Sequence, residues 1–317
     1  MSKILEVQNL NIGFNLFDGF KQAIYDVSFS LNKSEILAIV GESGCGKTIS
    51  TMSILQLLPE SAVIKSGAIL FNGTDLLSFN QKQMQKIRGK KIALIPQDPM
   101  TSLNPLYTIG NQLLEIIELH QGLKGEEAFN IAVEALKKVK IPDAEAKMNA
   151  YPHQFSGGMK QRVIIAMALA CNAEIIIADE PTTALDVTVQ AQIMEILRDI
   201  KNNFGVSIIL ITHDLGVVAQ NADRVAVMYA GHIVEQANTE YLFKNPKHPY
   251  TKALLNVILD INSQSIETIE GHPPSIEETI HGCPFHPRCK NCMEICQKEM
   301  PASTEIEKNS VACHLYI

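Results

Sequence analysis

The sequence lacks long apolar runs and lacks an excess of positive charge. Its longest apolar segments, such as VIIAMALAC at 163–171, are far shorter than the ~20 residues that a membrane-spanning helix needs. The first residues, MSKILEVQNLNIGF, alternate apolar and polar types as a strand does, without the apolar core of a signal peptide. A net charge of −7 argues against a nucleic-acid partner. These absences predict a cytosolic chain that does not itself cross a membrane.

Cysteine is also scarce, except at the end of the chain. Two of the seven cysteines, Cys45 and Cys171, are scattered. The other five crowd the last 35 residues, at Cys283, Cys289, Cys292, Cys296 and Cys313. Because lasting disulfides are rare in a reducing cytosol, clustered cysteines there more often bind a metal.

The pattern of apolar residues predicts an α/β fold. The apolar runs EIIIAD (174–179) and VSIILIT (206–212) flank a segment with helical spacing, which is typical of a parallel sheet. Strands are predicted at the amino terminus, with a loop at NLFDGFKQ (15–22). Residues 106–150 have helical periodicity and are interpreted as an insertion. A linker is predicted at INSQSIETIEGHPPSIEET (261–279), and no internal repeat is visible.

The segment GESGCGKT (41–48) follows the apolar strand ILAIV and fits the phosphate-loop pattern G-x-x-x-x-G-K-[ST]. Its glycines allow backbone N–H groups to converge on phosphate oxygens. Lys47 is expected to reach the β- and γ-phosphates, and Thr48 to ligate Mg²⁺. The predicted ATP-contacting residues of this loop are Gly41, Glu42, Ser43, Gly44, Cys45, Gly46, Lys47 and Thr48.

Polar residues follow three other predicted strands. In EIIIADEP, Asp179 is expected to hold Mg²⁺ through its water shell and Glu180 to orient the attacking water, although both could merely end a strand and cap the next helix. His213 and Gln97 lie just past strand ends, where ligands gather in open α/β sheets. Taken alone, a histidine at a strand end is more often a structural residue, and Gln97 would be an ordinary loop residue.

The segment QFSGGMKQR (154–162) resembles the LSGGQ signature of ATP-binding-cassette (ABC) ATPases, with Phe155 for leucine and Met159 for glutamine. The family's other motifs follow in the family's order, including TALD (183–186), and the resemblance covers about residues 3–250. It implies an ABC-type P-loop ATPase with a RecA-like core, an antiparallel β-subdomain, an inserted α-helical subdomain at about 106–165 and a Cys-rich C-terminal extension. The implied domains are an ABC ATP-binding domain at 1–255 and the extension at 256–317.

The resemblance also implies a role for individual residues. Gln97 would contact Mg²⁺ and relay the nucleotide state, Glu180 would be the catalytic base, and His213 would hold the γ-phosphate and the water. A second cassette would close head to tail on this one. The residues implied at that closed dimer are Ser156, Gly157 and Gly158 against the partner's γ-phosphate, and Ala184, Leu185 and Asp186 across the interface. Phe14 is the closest match to the aromatic residue that stacks on adenine, with Phe17 and Phe20 as alternatives.

Two further segments, IPQDPMTSLNPLYTIGNQL (95–113) and HPYTKALL (248–255), resemble the peptide/nickel branch of ABC importers. The extension, with GCPFHPRC and VACHL, resembles dipeptide and oligopeptide permease ATPases. This implies two transmembrane permease subunits, a second and distinct cassette, an extracellular or periplasmic binding protein, and a place on the cytoplasmic face of the membrane. The alternatives are an importer of nickel or sugars from the same branch, or a soluble ABC protein. A single phosphate loop and an ordinary helical insertion disfavour the soluble class.

The clustered cysteines leave three interpretations open. Disulfides do not suit a cytosolic chain. Zinc suits four thiolates, but only CKNC (289–292) offers a closely spaced pair. Resemblance to peptide-permease ATPases, some of which carry a [4Fe–4S] cluster here, favours such a cluster and leaves Cys292 as a spare thiol. The predicted cluster ligands are Cys283, Cys289, Cys296 and Cys313.

Overall fold

The computed structural model describes residues 2–183, 185–259, 269–278 and 280–317, with no side-chain description at 257–259. The chain forms two compact units, one made of Met1–Ser78 with Ile211–Ile317 and the other of Phe79–Leu210. Two predicted features lie outside the described residues: Ala184 of the predicted dimer interface, and residues 261–268 and 279 of the predicted linker at 261–279. The domain boundaries at 255 and 106–165 remain predictions.

In the described ranges the strands are β1 (Lys3–Leu16), β2 (Gly19–Asn32), β3 (Ile36–Val40), β4 (Ala62–Phe71), β5 (Thr74–Asp75), β6 (Ile92–Ile95), β7 (Ile175–Asp179), β8 (Ser207–Ile211), β9 (Arg224–Tyr229), β10 (His232–Asn238), β11 (Ser303–Ile306) and β12 (Asn309–Ala312). The α-helices are α1 (Lys47–Met52), α2 (Gln81–Gln85), α3 (Pro99–Ser102), α4 (Ile109–Gln121), α5 (Gly125–Lys138), α6 (Ala144–Lys147), α7 (Gly157–Ala170), α8 (Val187–Phe204), α9 (Leu215–Asn221), α10 (Thr239–Lys244) and α11 (Pro249–Leu259). Short 3₁₀ turns include Ser53–Leu55, His286–Arg288 and Glu294–Gln297.

The first unit contains an antiparallel sheet in the order β2-β1-β4-β5. The loop predicted at 15–22 is wrong, because β1 and β2 stay paired up to Leu16 and Gly19 and leave a two-residue turn. Gly19, the first residue of β2, has φ +120°, a conformation that glycine adopts without steric cost, so the chain can enter β2 directly after the turn at Phe17 and Asp18. The polar residues of this segment lie at an exposed hairpin tip, where a strand does not need an apolar face.

The first unit also holds five strands in the order β11-β12-β10-β9-β3. β3 and β9 are parallel, whereas β10 pairs antiparallel with β9 and β12. The carboxyl-terminal strands β11 and β12 therefore extend the sheet that contains β10, β9 and β3. Phe285 and Cys283 are buried in one hydrophobic cluster with Tyr229, Tyr250 and Val40, so the extension shares this unit's core.

The second unit holds three strands in the order β8-β7-β6, of which β6 and β7 are parallel. Every residue of β7 is buried, which matches its continuous apolar run. The helices α4, α5 and α6 occupy the block at 106–150 that the sequence predicts to be helical, and α5 packs against α7. Within the described ranges, no helix is both long enough and apolar enough to span a bilayer.

Candidate nucleotide site and cysteine cluster

The phosphate-loop segment joins the fully buried strand β3 to helix α1. Two of its three glycines, Gly41 and Gly46, are required by space as well as by backbone conformation. A Cβ on Gly41 would lie 2.1 Å from the carbonyl oxygen of Met228, and a Cβ on Gly46 would lie 2.4 Å from Cδ1 of Ile24. Gly46 also precedes α1 with φ +105°, in the region that side chains disfavour. The sequence pattern thus encodes a specific backbone path.

Lys47 is buried, and its ammonium group is held inside this loop. The Nζ atom donates to the carbonyl oxygens of Gly41 at 2.8 Å and Glu42 at 3.0 Å. Ser43 and Thr48, in contrast, are exposed. The loop therefore presents polar groups to solvent around a fixed positive charge, an arrangement that suits a phosphate group. Cys45 is buried, and burial raises the pKa of its thiol, which makes it a poor nucleophile.

A cavity of about 520 Å³ lies beside this loop in the first unit. It is bordered by Gly44, Gly46 and Phe14. Of the two alternatives to Phe14, Phe17 is fully exposed, and Phe20 lies under the ammonium group of Lys65 at 4.3 Å from the ring centroid. Neither lines the cavity, so this placement favours Phe14 as the aromatic residue for the base.

Sequence reasoning missed two other rings at the same cavity. Tyr25 and His232 stack with ring centroids 4.6 Å apart and both line the cavity wall. Burial lowers the pKa of His232 to about 4, so its imidazole is neutral at pH 7. Tyr25 stands in the predicted strand AIYDVSF, but nothing in the sequence indicated that its ring would face His232.

In the second unit, Glu180 receives hydrogen bonds from two side chains. Gln97 donates through Nε2 to Oε2 of Glu180 at 3.0 Å, and Thr183 donates through Oγ1 to the same oxygen at 2.9 Å. Glu180 has φ +46°, a strained conformation of the kind that clusters at functional sites. Asp179, the last residue of β7, is buried. The structure thus brings Gln97 and Glu180 together, although they are 83 residues apart.

The helix-cap interpretation of these two carboxylates is not supported. The next helix, α8, begins at Val187, and its N-cap is Asp186, whose carboxylate accepts from the N–H of Val189 at 3.0 Å. Asp179 and Glu180 end the preceding strand, so the capping role belongs to Asp186. Asp186 therefore has a structural role in addition to the predicted interface role.

The signature segment forms the start of helix α7. Ser156 is the N-cap, and its hydroxyl accepts from the N–H of Met159 at 3.3 Å. A Cβ on Gly158 would lie only 2.3 Å from Cγ1 of Val189, so glycine permits α7 and α8 to pack closely here. Phe155 is 6% exposed, so the aromatic ring at this position of the signature segment is buried. Ser156 is exposed and Gly157 is partly exposed.

His213 belongs to the first unit and is exposed just after β8. Its neighbour Thr212 donates through its N–H to the carbonyl oxygen of Ile39 at 3.3 Å, two residues before Gly41. Asp214 then caps α9. His213 therefore follows a backbone contact at the same end of β3 from which the phosphate loop begins.

Four of the five clustered cysteines surround one small cavity, namely Cys283, Cys289, Cys296 and Cys313. Burial and the neighbouring thiols raise the pKa of Cys283 to about 12, and burial also raises the pKa of Cys289 and Cys313. The fifth, Cys292, is exposed and does not line the cavity. Thiolates at such positions would need a cation to compensate their charge.

No group of three or more histidine, cysteine, aspartate or glutamate side chains in the described part of the chain has an arrangement that could hold a metal ion. The four thiols thus share a cavity without forming a ready coordination site. Two histidines at the cavity hydrogen-bond to backbone oxygens, His286 to Cys283 at 2.9 Å and His314 to Glu299 at 2.8 Å.

The described features define a nucleotide-binding protein of the phosphate-loop class. Residues 24–183 match the ABC transporter family, and residues 234–296 match the C-terminal region of oligopeptide/dipeptide transporters. The chain belongs to the ABC transporter family, and it is an ABC-type ATPase with the predicted mixed α/β fold of antiparallel and parallel sheets.

Relatives of this chain match it over nearly their whole length. It is 50% identical to the dipeptide transport ATP-binding protein DppD of Bacillus subtilis (strain 168), covering 99% of this chain and 95% of that protein. It is 48% identical to the oligopeptide transport ATP-binding protein OppD of Haemophilus influenzae, covering 94% and 92%. Among solved structures, the dimeric ATP-binding cassette MJ0796 in a post-hydrolysis state with ADP and Pi is 28% identical, with a TM-score of 0.66, and covers 74% of this chain and 98% of that one.

Proposed function

We propose that this chain is the ATP-hydrolysing subunit of a membrane importer for dipeptides or oligopeptides. The observation that carries this proposal is the 50% identity, across 99% of the chain, to a dipeptide transport ATP-binding protein. The match of residues 234–296 to the oligopeptide/dipeptide C-terminal region supports it independently of the cassette motifs.

In this proposal the phosphate loop binds the nucleotide. Lys47 neutralises the β- and γ-phosphates, and the backbone N–H groups of 41–48 bind phosphate oxygens. Phe14 stacks on the base, which its position beside the loop supports. His213 holds the γ-phosphate, and its place just after the contact between Thr212 and Ile39 supports this assignment.

Glu180 is proposed as the general base that takes a proton from the attacking water. Its hydrogen bonds from Gln97 and Thr183 fix the direction of the carboxylate and support this role. Thr48, Gln97 and Asp179 would hold Mg²⁺, since hard oxygen donors are the ligands this ion prefers, and the bound ion would neutralise phosphate charge.

A second cassette is proposed to complete the site. Ser156, Gly157 and Gly158 would face the nucleotide bound by that partner. The exposure of Ser156 and the position of both glycines in the first turn of α7, whose N–H groups have no acceptor within the helix, support this. Asp186 would lie at the same interface. The partner is proposed to be a distinct cassette, as is usual for the branch of importers that the sequence resembles.

The membrane partners are proposed to be two permease subunits that receive substrate from an extracellular or periplasmic binding protein, with this chain on their cytoplasmic face. In the sequence that follows Gln97, the apolar side chains of Met100, Leu106 and Tyr107 are 58%, 80% and 54% exposed. Exposed apolar residues that follow directly on a site residue suit a docking surface that senses the nucleotide state.

A [4Fe–4S] cluster is proposed on Cys283, Cys289, Cys296 and Cys313, with zinc as the alternative. Their common cavity and the exclusion of Cys292 from it support four thiolate ligands. Anaerobically purified protein should be brown and absorb broadly near 400 nm, because thiolate-bound iron has charge-transfer bands. Cys289→Ser should lose the band, and Cys292→Ser should keep it. A colourless protein with one equivalent of zinc would exclude the cluster.

An uptake assay tests the transport function. In a bacterial strain that lacks its own cassette of this type, expression of the chain with its permeases should restore uptake of a labelled dipeptide, and Glu180→Gln should not. Restored uptake of nickel or an oligosaccharide instead of peptide would support the other importers of the branch. Isolation only in complexes with DNA or ribosomes would contradict the importer class.

A further inference from the structure

A side chain from the C-terminal extension is bound to the phosphate loop. Arg288, at the end of the turn His286–Arg288, forms two hydrogen bonds with the carboxylate of Glu42, the second residue of the loop. The distances are 2.7 Å from Nη1 to Oε2 and 3.0 Å from Nη2 to Oε1. The Arg288 side chain is 5% exposed and the Glu42 side chain 25%. A planar, bidentate pair of this kind fixes direction as well as distance.

The guanidinium group is itself held in place by its remaining donors. Nε donates to the carbonyl oxygen of Glu270 at 3.0 Å, Nη2 to that of Ile269 at 3.4 Å, and Nη1 to the hydroxyl of Tyr229 at 3.3 Å. Arg288 is therefore a rigid anchor. It is not a long surface side chain that happens to meet a carboxylate.

Glu42 is held at three points. Arg288 binds its carboxylate, its N–H donates to the hydroxyl of Tyr250 at 3.0 Å, and its carbonyl oxygen accepts from Nζ of Lys47 at 3.0 Å. The third contact joins Glu42 to the lysine that is proposed to bind phosphate. A shift of Glu42 would therefore change the direction of the peptide groups around Lys47.

The extension reaches the same site by a second route. The 520 Å³ cavity that Gly44, Gly46 and Phe14 border is also lined by residues of the extension, among them Pro274, Ser275, Ile276, Glu278, Ile280 and Pro284. The extension thus contacts the loop at Glu42 and encloses the space beside it. Arg288, Glu42 and the residues that line this cavity all belong to the first unit.

We propose that Arg288 is a positioning residue for ATP binding: the extension holds the phosphate loop in its binding conformation through Glu42 and neutralises the carboxylate that would otherwise repel the triphosphate. This proposal rests on the proposed role of the loop in binding ATP. Without Arg288, the carboxylate of Glu42 would carry an uncompensated charge beside an anion site, and Glu42 would lose one of the three contacts that hold it.

A purely structural role would instead resemble that of another ion pair in the same unit. Arg224 donates through Nη1 to Oε1 of Glu35 at 3.2 Å and to the carbonyl oxygen of Ser30 at 3.1 Å, and Glu35 is 4% exposed. This pair joins β9 to the turn before β3 and lies outside the loop. Arg224→Ala is therefore the matched control.

The experiment measures ATP affinity by isothermal titration on the full-length chain, and KM and kcat for ATP on the same chain together with its partner cassette. Arg288→Ala should raise the KM and the Kd for ATP by roughly 10- to 100-fold, the effect of losing a charge-assisted pair, with a much smaller change in kcat. Arg288→Lys should recover part of this loss, because it restores the charge but not the bidentate geometry. Arg224→Ala should lower the melting temperature and leave the KM for ATP unchanged.

A double variant keeps the proposal testable if Arg288→Ala folds poorly. Glu42→Gln/Arg288→Gln removes both charges, so its ATP affinity should exceed that of Arg288→Gln alone. An unchanged KM in Arg288→Ala, or a loss equal to that of Arg224→Ala, would overturn the positioning role. Lys47→Ala separates the two proposals: wild-type ATP affinity in that variant contradicts the loop assignment itself, whereas loss in Lys47→Ala with none in Arg288→Ala contradicts only the positioning role.

Discussion

Replacing Glu180 by glutamine should remove most ATP turnover and leave nucleotide binding intact. The substitution keeps the size of the side chain and abolishes its ability to accept a proton. The loss of a general base typically lowers a rate ~10²–10⁴-fold. At 1.36 kcal/mol for each factor of ten, this corresponds to roughly 3–5 kcal/mol in activation free energy.

The fold should tolerate this change because of the local geometry. Gln97 and Thr183 both donate to one oxygen, Oε2 of Glu180. A carboxamide oxygen can accept both bonds, although without the added strength of a charge. The free energy of unfolding should therefore fall by only about 1–2 kcal/mol.

The assay combines phosphate release with size-exclusion chromatography in the presence of ATP and Mg²⁺. Glu180→Gln should elute as a persistent dimer with its partner cassette, since ATP favours closure and hydrolysis is needed for release. Glu174→Gln is the matched control. It removes a carboxylate at the opposite end of β7, where Glu174 pairs with Lys91 at 2.5 Å and both side chains are about one-third or more exposed. A pair so exposed contributes only ~0–1 kcal/mol, and turnover should stay at the wild-type rate.

Wild-type turnover in Glu180→Gln would refute the assignment of the catalytic base. Weakened ATP binding in the same variant would refute a different step of the reasoning, namely that the carboxylate acts on water and not on nucleotide affinity. Equal losses of turnover in Glu174→Gln and Glu180→Gln would point to a general effect of charge in this unit.

Three further outcomes follow from particular contacts. Gly158→Ala should lower the free energy of unfolding by about 1–3 kcal/mol, because its methyl group would lie 2.3 Å from Cγ1 of Val189. Adding Val189→Ala to this variant should restore part of the lost stability, as measured in thermal melts. The free energy of unfolding should decline as pH falls from about 6.5 to 4, because His232 has a lowered pKa of about 4 and in that window only the unfolded chain binds its proton. In urea titrations at several pH values, His232→Phe should reduce this decline by roughly 3 kcal/mol at most. Leu106→Asp should reduce co-purification with the permeases and leave the melting temperature of the isolated chain unchanged, because this leucine is 80% exposed, and undiminished recovery would argue against the docking surface.

Several features could be predicted from short stretches of sequence because each is made by consecutive residues. The phosphate loop is one, since its glycines specify a backbone path that only glycine can follow, as the contacts at Gly41 and Gly46 show. The buried run of β7 and the helical block at 106–150 are others, because periodicity is a local property. Family membership followed from the order of such motifs along the chain.

Other features depended on contacts between residues that are far apart in the sequence. The bonds between Arg288 and Glu42 join positions 246 residues apart, and the bond between Gln97 and Glu180 spans 83. Phe14 and its two alternatives have the same chemistry, and only the position of each ring relative to the cavity distinguishes them. For the cysteines, in contrast, the family resemblance already implied that Cys292 is the spare thiol, and Cys292 does not line the cavity of the other four. A sequence specifies which side chains are available, but the packing of sheets and turns decides which of them meet, because hydrogen bonds and ion pairs act only over a few ångströms.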